Sequence, residues 1–303
     1  MKFQPLVSVI VPSYCHEDYI LECIDSIHRQ SYARIELVVI DDVSSDLTFV
    51  LAQALLASQY SKRFENIVLK RNSVNLGAHA TINSGIMASK GSYVAVINSD
   101  DRYHPDRIEK MVTAMQEVGS ELAFSLVTIV SDNPPGTKLP SGFALFELEQ
   151  LLGANSAPSI GFALQRRNIA TSTGNLVFSR ALYDKVGPFL PLKYCHDWDF
   201  ALQACYFTEP VFVAEQLYDY RLHGANSFSS LSGLAGVESE VVLRRFFRRG
   251  LMGKSPNPLF PCEENWPGYF KLYVRALGQT EFLNLEADLG GKSWRIYERR
   301  GFA

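Results

Sequence analysis

An apolar run, Tyr93-Val94-Ala95-Val96-Ile97, leads directly into Asn98-Ser99-Asp100-Asp101. Adjacent carboxylates repel each other and cost stability unless a cation or donor groups lie between them. A second pair, Asp41-Asp42, follows the apolar run over 35–40. If both runs are strands of a parallel sheet, both pairs fall on its C-terminal edge, where ligands of open α/β sheets bind. A single pair serves equally well as a helix cap. Two pairs at equivalent strand ends point instead to ligand binding. Neither run leads into GxGxxG or GxxxxGK[ST], which disfavours NAD and P-loop chemistry. A diphosphate bound here would need a divalent cation, and Asp oxygens suit Mn2+ or Mg2+.

Two further groups carry chemistry. In Cys195-His196-Asp197-Trp198-Asp199 the two acids are two apart at the start of a helical pattern, so they point in different directions. One caps the helix or meets solvent. The other, Asp197, is read as a general base in a pocket walled by Trp198. In Tyr218-Asp219-Tyr220-Arg221-Leu222-His223, Arg221 and His223 alternate along a strand and share a face. A guanidinium beside an imidazole suits a diphosphate or a metal.

The elements that must position these groups alternate between strand and helix. Strands are predicted over 6–11, 35–40, 66–70 and 93–97, and helices over 17–30, 47–58 and from the Asn75-Leu76-Gly77 turn through Met87. Ser45 and Asp46 are candidate caps for the second helix. This alternation predicts a mainly parallel sheet flanked by helices. A helix over 106–118 and a strand over 122–130 follow. The stretch 131–174 is loop-rich, with one short helix near 145–152 and with Arg166 and Arg167, and is a candidate acceptor-selecting surface. Two late strands are predicted over 211–214 and 217–220. Beyond 229 the pattern is helical.

The bulk numbers agree with a globular α/β enzyme. The chain has 303 residues, 47% of them hydrophobic, and a net charge of −3, which gives no reason to expect nucleic acid as a partner. Its 5 cysteines show no paired spacing, and the opening reads as a strand rather than a secretory leader. Both features lead us to expect reduced thiols and a cytoplasmic protein. The segment VVLRRFFRR over 241–249 mixes apolar and basic residues at helical spacing. A helix packed on the catalytic domain with a solvated basic face is the favoured reading. The alternative is a peripheral helix at the inner face of the plasma membrane.

Taken in order, the motifs resemble those of the family 2 glycosyltransferases, over roughly residues 6–228. VSVIVPSY resembles the family's first strand and nucleotide-binding turn, VVIDDVSSD its second element, and NLGAHATINSGIMASKGSYVAVINSDD its central signature. GNLVFSRALYDKVGPF and HDWDF resemble its acceptor-side signatures, and YRLHGANS its closing motif. The resemblance implies an α/β GT-A fold over 1–228, with a nucleotide-sugar half over 1–104 and an acceptor half over 105–228. A helical extension would cover 229–303. It also implies an inverting glycosyltransferase that moves a sugar from a nucleoside diphosphate sugar, commonly UDP-linked, to a glycan or lipid-linked acceptor in bacterial surface polysaccharide synthesis.

On this resemblance Pro12, Ser13, Tyr14, Asp42, Asn75, Gly77, Asn98, Asp100, Trp198 and Arg221 would bind substrate. Asp100 or Asp101, with His223, would hold Mn2+ or Mg2+, and Asp197 would be the base. Two positions depart from the family pattern. Asn98 stands where the first acid of an Asp-x-Asp usually stands, and His196 replaces the usual glutamate before the base. Two other classes share some of these features. One is a nucleotidyltransferase, which usually needs a glycine-rich or basic loop over the triphosphate. The other is a non-catalytic relative that binds nucleotide sugar or glycan.

Overall fold

The structure, a computed structural model, describes residues 4–132, 146–224 and 231–285. The Pro-rich turns near 134 and 140, residues 225–227 of the closing motif and the stretch from 286 lie outside the described residues. The elements begin with β1 (Val7–Ser13), α1 (Ile20–His28), β2 (Ile35–Asp41), α2 (Thr48–Leu56), β3 (Asn66–Arg71), α3 (Ala78–Ala88) and β4 (Tyr93–Val96). They continue with β5 (Arg102–Tyr103), α4 (Arg107–Val118), β6 (Leu122–Ser131), α5 (Phe146–Ser156), α6 (Ile160–Arg166), β7 (Val177–Ser179) and α7 (Arg180–Val186). The last are α8 (His196–Ala204), β8 (Val211–Leu222), α9 (Ala235–Gly250) and α10 (Tyr269–Ala276).

One sheet runs in the order β3-β2-β1-β4-β7-β6-β8-β5. β3, β2, β1 and β4 are mutually parallel, so the chain ends after β1, β2 and β4 share one edge. β7 is inserted antiparallel between β4 and β6, β6 and β8 are parallel, and β5 closes the far edge antiparallel to β8.

Side-chain alternation sorts the apolar residues onto two faces. Val7, Val9 and Val11 meet α1, α2 and α4, whereas Ile10, Val38 and Val96 meet α3 and the helices of the second half. Both faces are covered, which explains why β2 is buried along its whole length and reads as an apolar run interrupted only by Glu36, whose carboxylate is hydrogen-bonded to Ser8, Asn66 and the Lys90 N–H.

Several expectations change in detail. The two predicted late strands are one strand, β8. Its register against β6 shifts at Ser125–Leu126 and Leu126–Val127, and such bulges interrupt the alternation that marks a strand. The two-residue strand β5 is too short to carry a sequence signal. The loop-rich stretch holds two helices, α5 and α6, rather than one short one. Asp46 takes the Thr48 backbone N–H at 3.0 Å from just outside α2.

The basic-apolar segment over 241–249 lies in α9. It buries Val242 and Phe246 in the core shared with α8, and its Arg245 pairs with Asp199. This is the packed-helix arrangement. Among the described residues no helix is long and apolar enough to cross a membrane.

Candidate active site

A cleft of about 420 Å³ opens at the shared C-terminal edge of β1, β2 and β4. This is where the strand order reverses, since β2 lies on one side of β1 and β4 on the other. Pro12, Ser13, Tyr14, Asp42, Asn75, Gly77, Asn98, Asp100 and Asp197 all line it. Residues separated by up to 185 positions therefore share one small space, because β1, β2 and β4 deliver their ends to the same place and the start of α8 brings Asp197 to it.

The first wall is built by Asp42. Its carboxylate accepts from the backbone N–H of Leu76 at 2.9 Å and of Gly77 at 2.8 Å, and from Asn72 Nδ2 at 2.7 Å. Asn75 Nδ2 returns a bond to the Asp42 carbonyl at 3.1 Å. Gly77 precedes α3 with φ at 81°, a left-handed conformation that favours glycine. Asp42 thus fixes the turn that carries Asn75 and Gly77. Ser13 Oγ is buried without a hydrogen-bond partner among the described residues. An orphaned hydroxyl in a cleft wall is a position for a ligand atom to satisfy. Cys15 and Thr171 also line the cleft, and both hold left-handed backbones, at φ 53° and 77°. Such conformations cost about 1–3 kcal/mol each and cluster at functional sites.

The second wall centres on Asp100. His223 Nε2 donates to Asp100 Oδ2 at 2.9 Å, and His16 Nε2 lies 3.9 Å from the same oxygen. One donor atom from each of these three residues lies within 4.8 Å of the others. His16 Nδ1 is fixed by Ser99 Oγ at 2.7 Å. Burial holds the His16 pKa below its ordinary value, against the pull of Asp100. The imidazole therefore stays neutral at neutral pH and keeps a lone pair for a cation.

Asp101, expected beside Asp100 as a possible ligand, is turned inward instead. It accepts from the Tyr218 hydroxyl, from Asn98 Nδ2 at 2.9 Å and from the Arg221 backbone N–H at 2.8 Å. Burial and the Asp100 charge push its pKa well up. The same division holds at β2. Asp41 faces inward, taking Ser44 N–H at 3.0 Å and pairing with Arg71 at 3.1 Å, while Asp42 faces the cleft.

The third wall is the start of α8. Asp197 accepts from Asn168 Nδ2 at 2.9 Å and from the Trp198 N–H at 2.8 Å. Burial raises its pKa, opposed by His196 and by these hydrogen bonds. His196 Nδ1 donates to the Leu192 carbonyl at 3.2 Å, and its Nε2 pairs with Thr173 Oγ1 at 2.9 Å. Tyr220, another lining residue, feels the charges of Asp100, Asp101 and Asp197 together, so the second and third walls face a common space.

Two expected contacts are placed elsewhere. Trp198 is buried in the core, and its indole N–H donates to the Leu164 carbonyl at 2.7 Å, so it does not wall the cleft. Arg221 lies behind the cleft. Its guanidinium bonds the Asp100 carbonyl at 2.8 Å, Asp132 at 2.8 Å and Glu22 at 2.5 Å, fastening the end of β8 to the acidic loop. Arg166 and Arg167 are not lining residues, and Arg167 pairs with Glu149.

Sequence reasoning missed His16, Lys193, Tyr194, Tyr220 and the 171–173 turn, which all line the cleft. His16 had a legible signal, an imidazole three residues beyond the end of β1 at the ligand edge. The turn lies within the stretch read as acceptor-selecting, but its position depends on long-range packing.

Comparison with known proteins gives a consistent result. Residues 8–186 match the sequence model described as glycosyl transferase family 2. The succinoglycan biosynthesis protein ExoO of Rhizobium meliloti is 34% identical over 48% of this chain and 40% of its own. The chain spans about half, or less, of the length of the first curated relatives it matches. Among solved structures, Staphylococcus aureus TarS 1–349 in complex with UDP-GlcNAc aligns over 97% of this chain and 92% of its own, at 17% identity and a TM-score of 0.58. The mannosyltransferase PcManGT of Pyrobaculum calidifontis, in complex with GDP-Man and Mn2+, aligns over 99% and 80%, at 17% identity and a TM-score of 0.60. The architecture is the GT-A fold expected from the motif series.

Proposed function

The chain belongs to glycosyl transferase family 2, and from that premise we propose that it moves a sugar from a nucleoside diphosphate sugar to a hydroxyl of a glycan or lipid-linked acceptor, with inversion at the anomeric carbon. The observation that carries this reading is the cleft that gathers Asp42, Asn98 with Asp100, and Asp197 from three distant segments. The complexes of TarS with UDP-GlcNAc and of PcManGT with GDP-Man support a nucleoside diphosphate donor, with UDP first to be tested. The naming of ExoO for succinoglycan biosynthesis supports a role in bacterial polysaccharide synthesis.

The residues present fit a divalent cation. Asp100, His223 and His16 offer one carboxylate oxygen and two imidazole nitrogens within 4.8 Å of one another. This set suits Mn2+ better than Mg2+, which prefers oxygen. A cation bound there would offset the negative charge that grows on the departing diphosphate. Ser13 Oγ and the Asp42-braced turn would hold the nucleoside, and Asn98 would contact ribose or sugar.

Asp197 takes the proton from the acceptor hydroxyl as its oxygen attacks the anomeric carbon. The bond from that carbon to the diphosphate oxygen breaks, and the electron pair leaves with the diphosphate. The reaction inverts the centre in one step. Burial raises the pKa of Asp197, which makes it a stronger base than an ordinary carboxylate.

The test is to incubate the protein with UDP-sugars, Mn2+ and glycan acceptors. Acceptor-dependent release of UDP is expected. Release of pyrophosphate would instead identify a nucleotidyltransferase, and nucleotide binding without turnover would identify a binding relative.

A further inference from the structure

The loop that delivers Asp197 is held from outside the region that matches the family model. Glu238, in the first turn of α9, is fully buried. One of its carboxylate oxygens accepts the backbone N–H of Lys193 at 2.9 Å, and the other accepts those of Tyr194 and Cys195, both at 2.8 Å. Successive N–H groups converging on one carboxylate form an anion nest, which fixes the backbone that contributes them. Lys193 and Tyr194 line the cleft, and His196 and Asp197 follow at once. These three amides lie at or before Cys195, the N-cap of α8, and their acceptor comes from another helix. The two helices are joined further along by Arg245 to Asp199 at 2.8 Å and by Arg249 to Gln203 at 3.0 Å.

We propose that Glu238 is a positioning residue for catalysis, and that α9 sets the placement of Asp197 through the 193–195 backbone. The proposal rests on the transferase reading with Asp197 as base. A glutamine at this position offers one acceptor oxygen. Whichever way its amide is turned, at least one of the three N–H groups faces an NH2. The loop is then released without a change in side-chain volume. Misplacing a reacting group by about 1 Å costs on the order of 100-fold in rate. The nucleoside wall, built from β1, β2 and the 72–77 turn, shares none of these bonds.

The experiment compares wild type with Glu238→Gln by kcat, UDP–Mn2+ affinity and hydrogen exchange. We expect kcat per folded molecule to fall about 10- to 100-fold, UDP–Mn2+ affinity to hold, and exchange to quicken at the amides of 193–195 while β1 and β2 stay protected. An unchanged kcat in the folded variant overturns the proposal. So does a parallel fall of kcat and UDP–Mn2+ affinity, which indicates general loosening. If Glu238→Gln does not fold, Glu238→Asp, which keeps both oxygens, carries the test. Faster exchange at 193–195 must then come with a lower kcat, and faster exchange with full kcat overturns the proposal. Failure of the wild type to release UDP from any donor overturns the transferase reading instead.

Discussion

Asp100 and Asp197 stand in one cleft and have opposite surroundings. Asp100 lies in the turn after parallel strand β4 of the first half and is bordered by two imidazoles, His223 at 2.9 Å and His16 at 3.9 Å. Asp197 begins a helix of the second half, is held by Asn168 and its own helix N-terminus, and has its pKa raised by burial. Imidazoles that can also ligate a metal border the first, and amide donors in a dry wall surround the second. On the proposed reading the same side chain serves as a cation ligand in one place and a proton acceptor in the other, a separation of roles produced by environment.

Breaking each side should give a different signature. Asp197→Asn should lower kcat by about 10²- to 10⁴-fold, the range of a general base, with UDP–Mn2+ affinity unchanged by calorimetry. A joint loss of binding would erase the distinction. Asp100→Asn should weaken Mn2+ binding by about 100-fold or more in an electron paramagnetic resonance titration, while UDP binding in EDTA stays as it was. His16→Ala should weaken Mn2+ binding by about 10-fold in the same titration. An unchanged affinity would remove His16 from the cation side.

Tyr218→Phe removes a donor from inward-facing Asp101. It should cost about 1.5–3 kcal/mol in chemical denaturation, with little effect on Mn2+ affinity. Asn168→Ala should have the smallest effect. As the proposed base Asp197 would work ionised, so kcat should fall as pH drops through its raised pKa. The Asn168 bond favours the ionised form, so its loss should move the acid limb of the pH–kcat profile to higher pH.

The two halves also differ in how much of them could be read. β1, β2 and β4 are legible as β-branched runs, and a parallel alignment places Asp42 and Asp100 on one edge. The direction of each acid was not legible. Asp41 and Asp101 face inward because donors await them, those of Arg71, Tyr218 and Arg221 from distant segments. In the second half the pattern was weaker. β8 was split by its bulge, α6 was missed, and Trp198 was assigned to the cleft because an aromatic beside an acid suggests a wall. Its indole is claimed by the Leu164 carbonyl, a partner 34 residues away that local pattern does not reveal.

By itself, the sequence determined which strands are buried, that their acidic ends meet at a common edge, and which family the motifs belong to. These follow from period, residue type and parallel order, all of which are local or nearly so. Only the tertiary structure decided which acid of each pair faces the cleft, that His16 joins Asp100 and His223, and that a carboxylate from α9 holds the loop before Asp197. Those facts depend on contacts between segments far apart in the chain. Packing selects such contacts by burial and by the pairing of buried polar groups, and neither is written in the spacing of residues along one strand or helix.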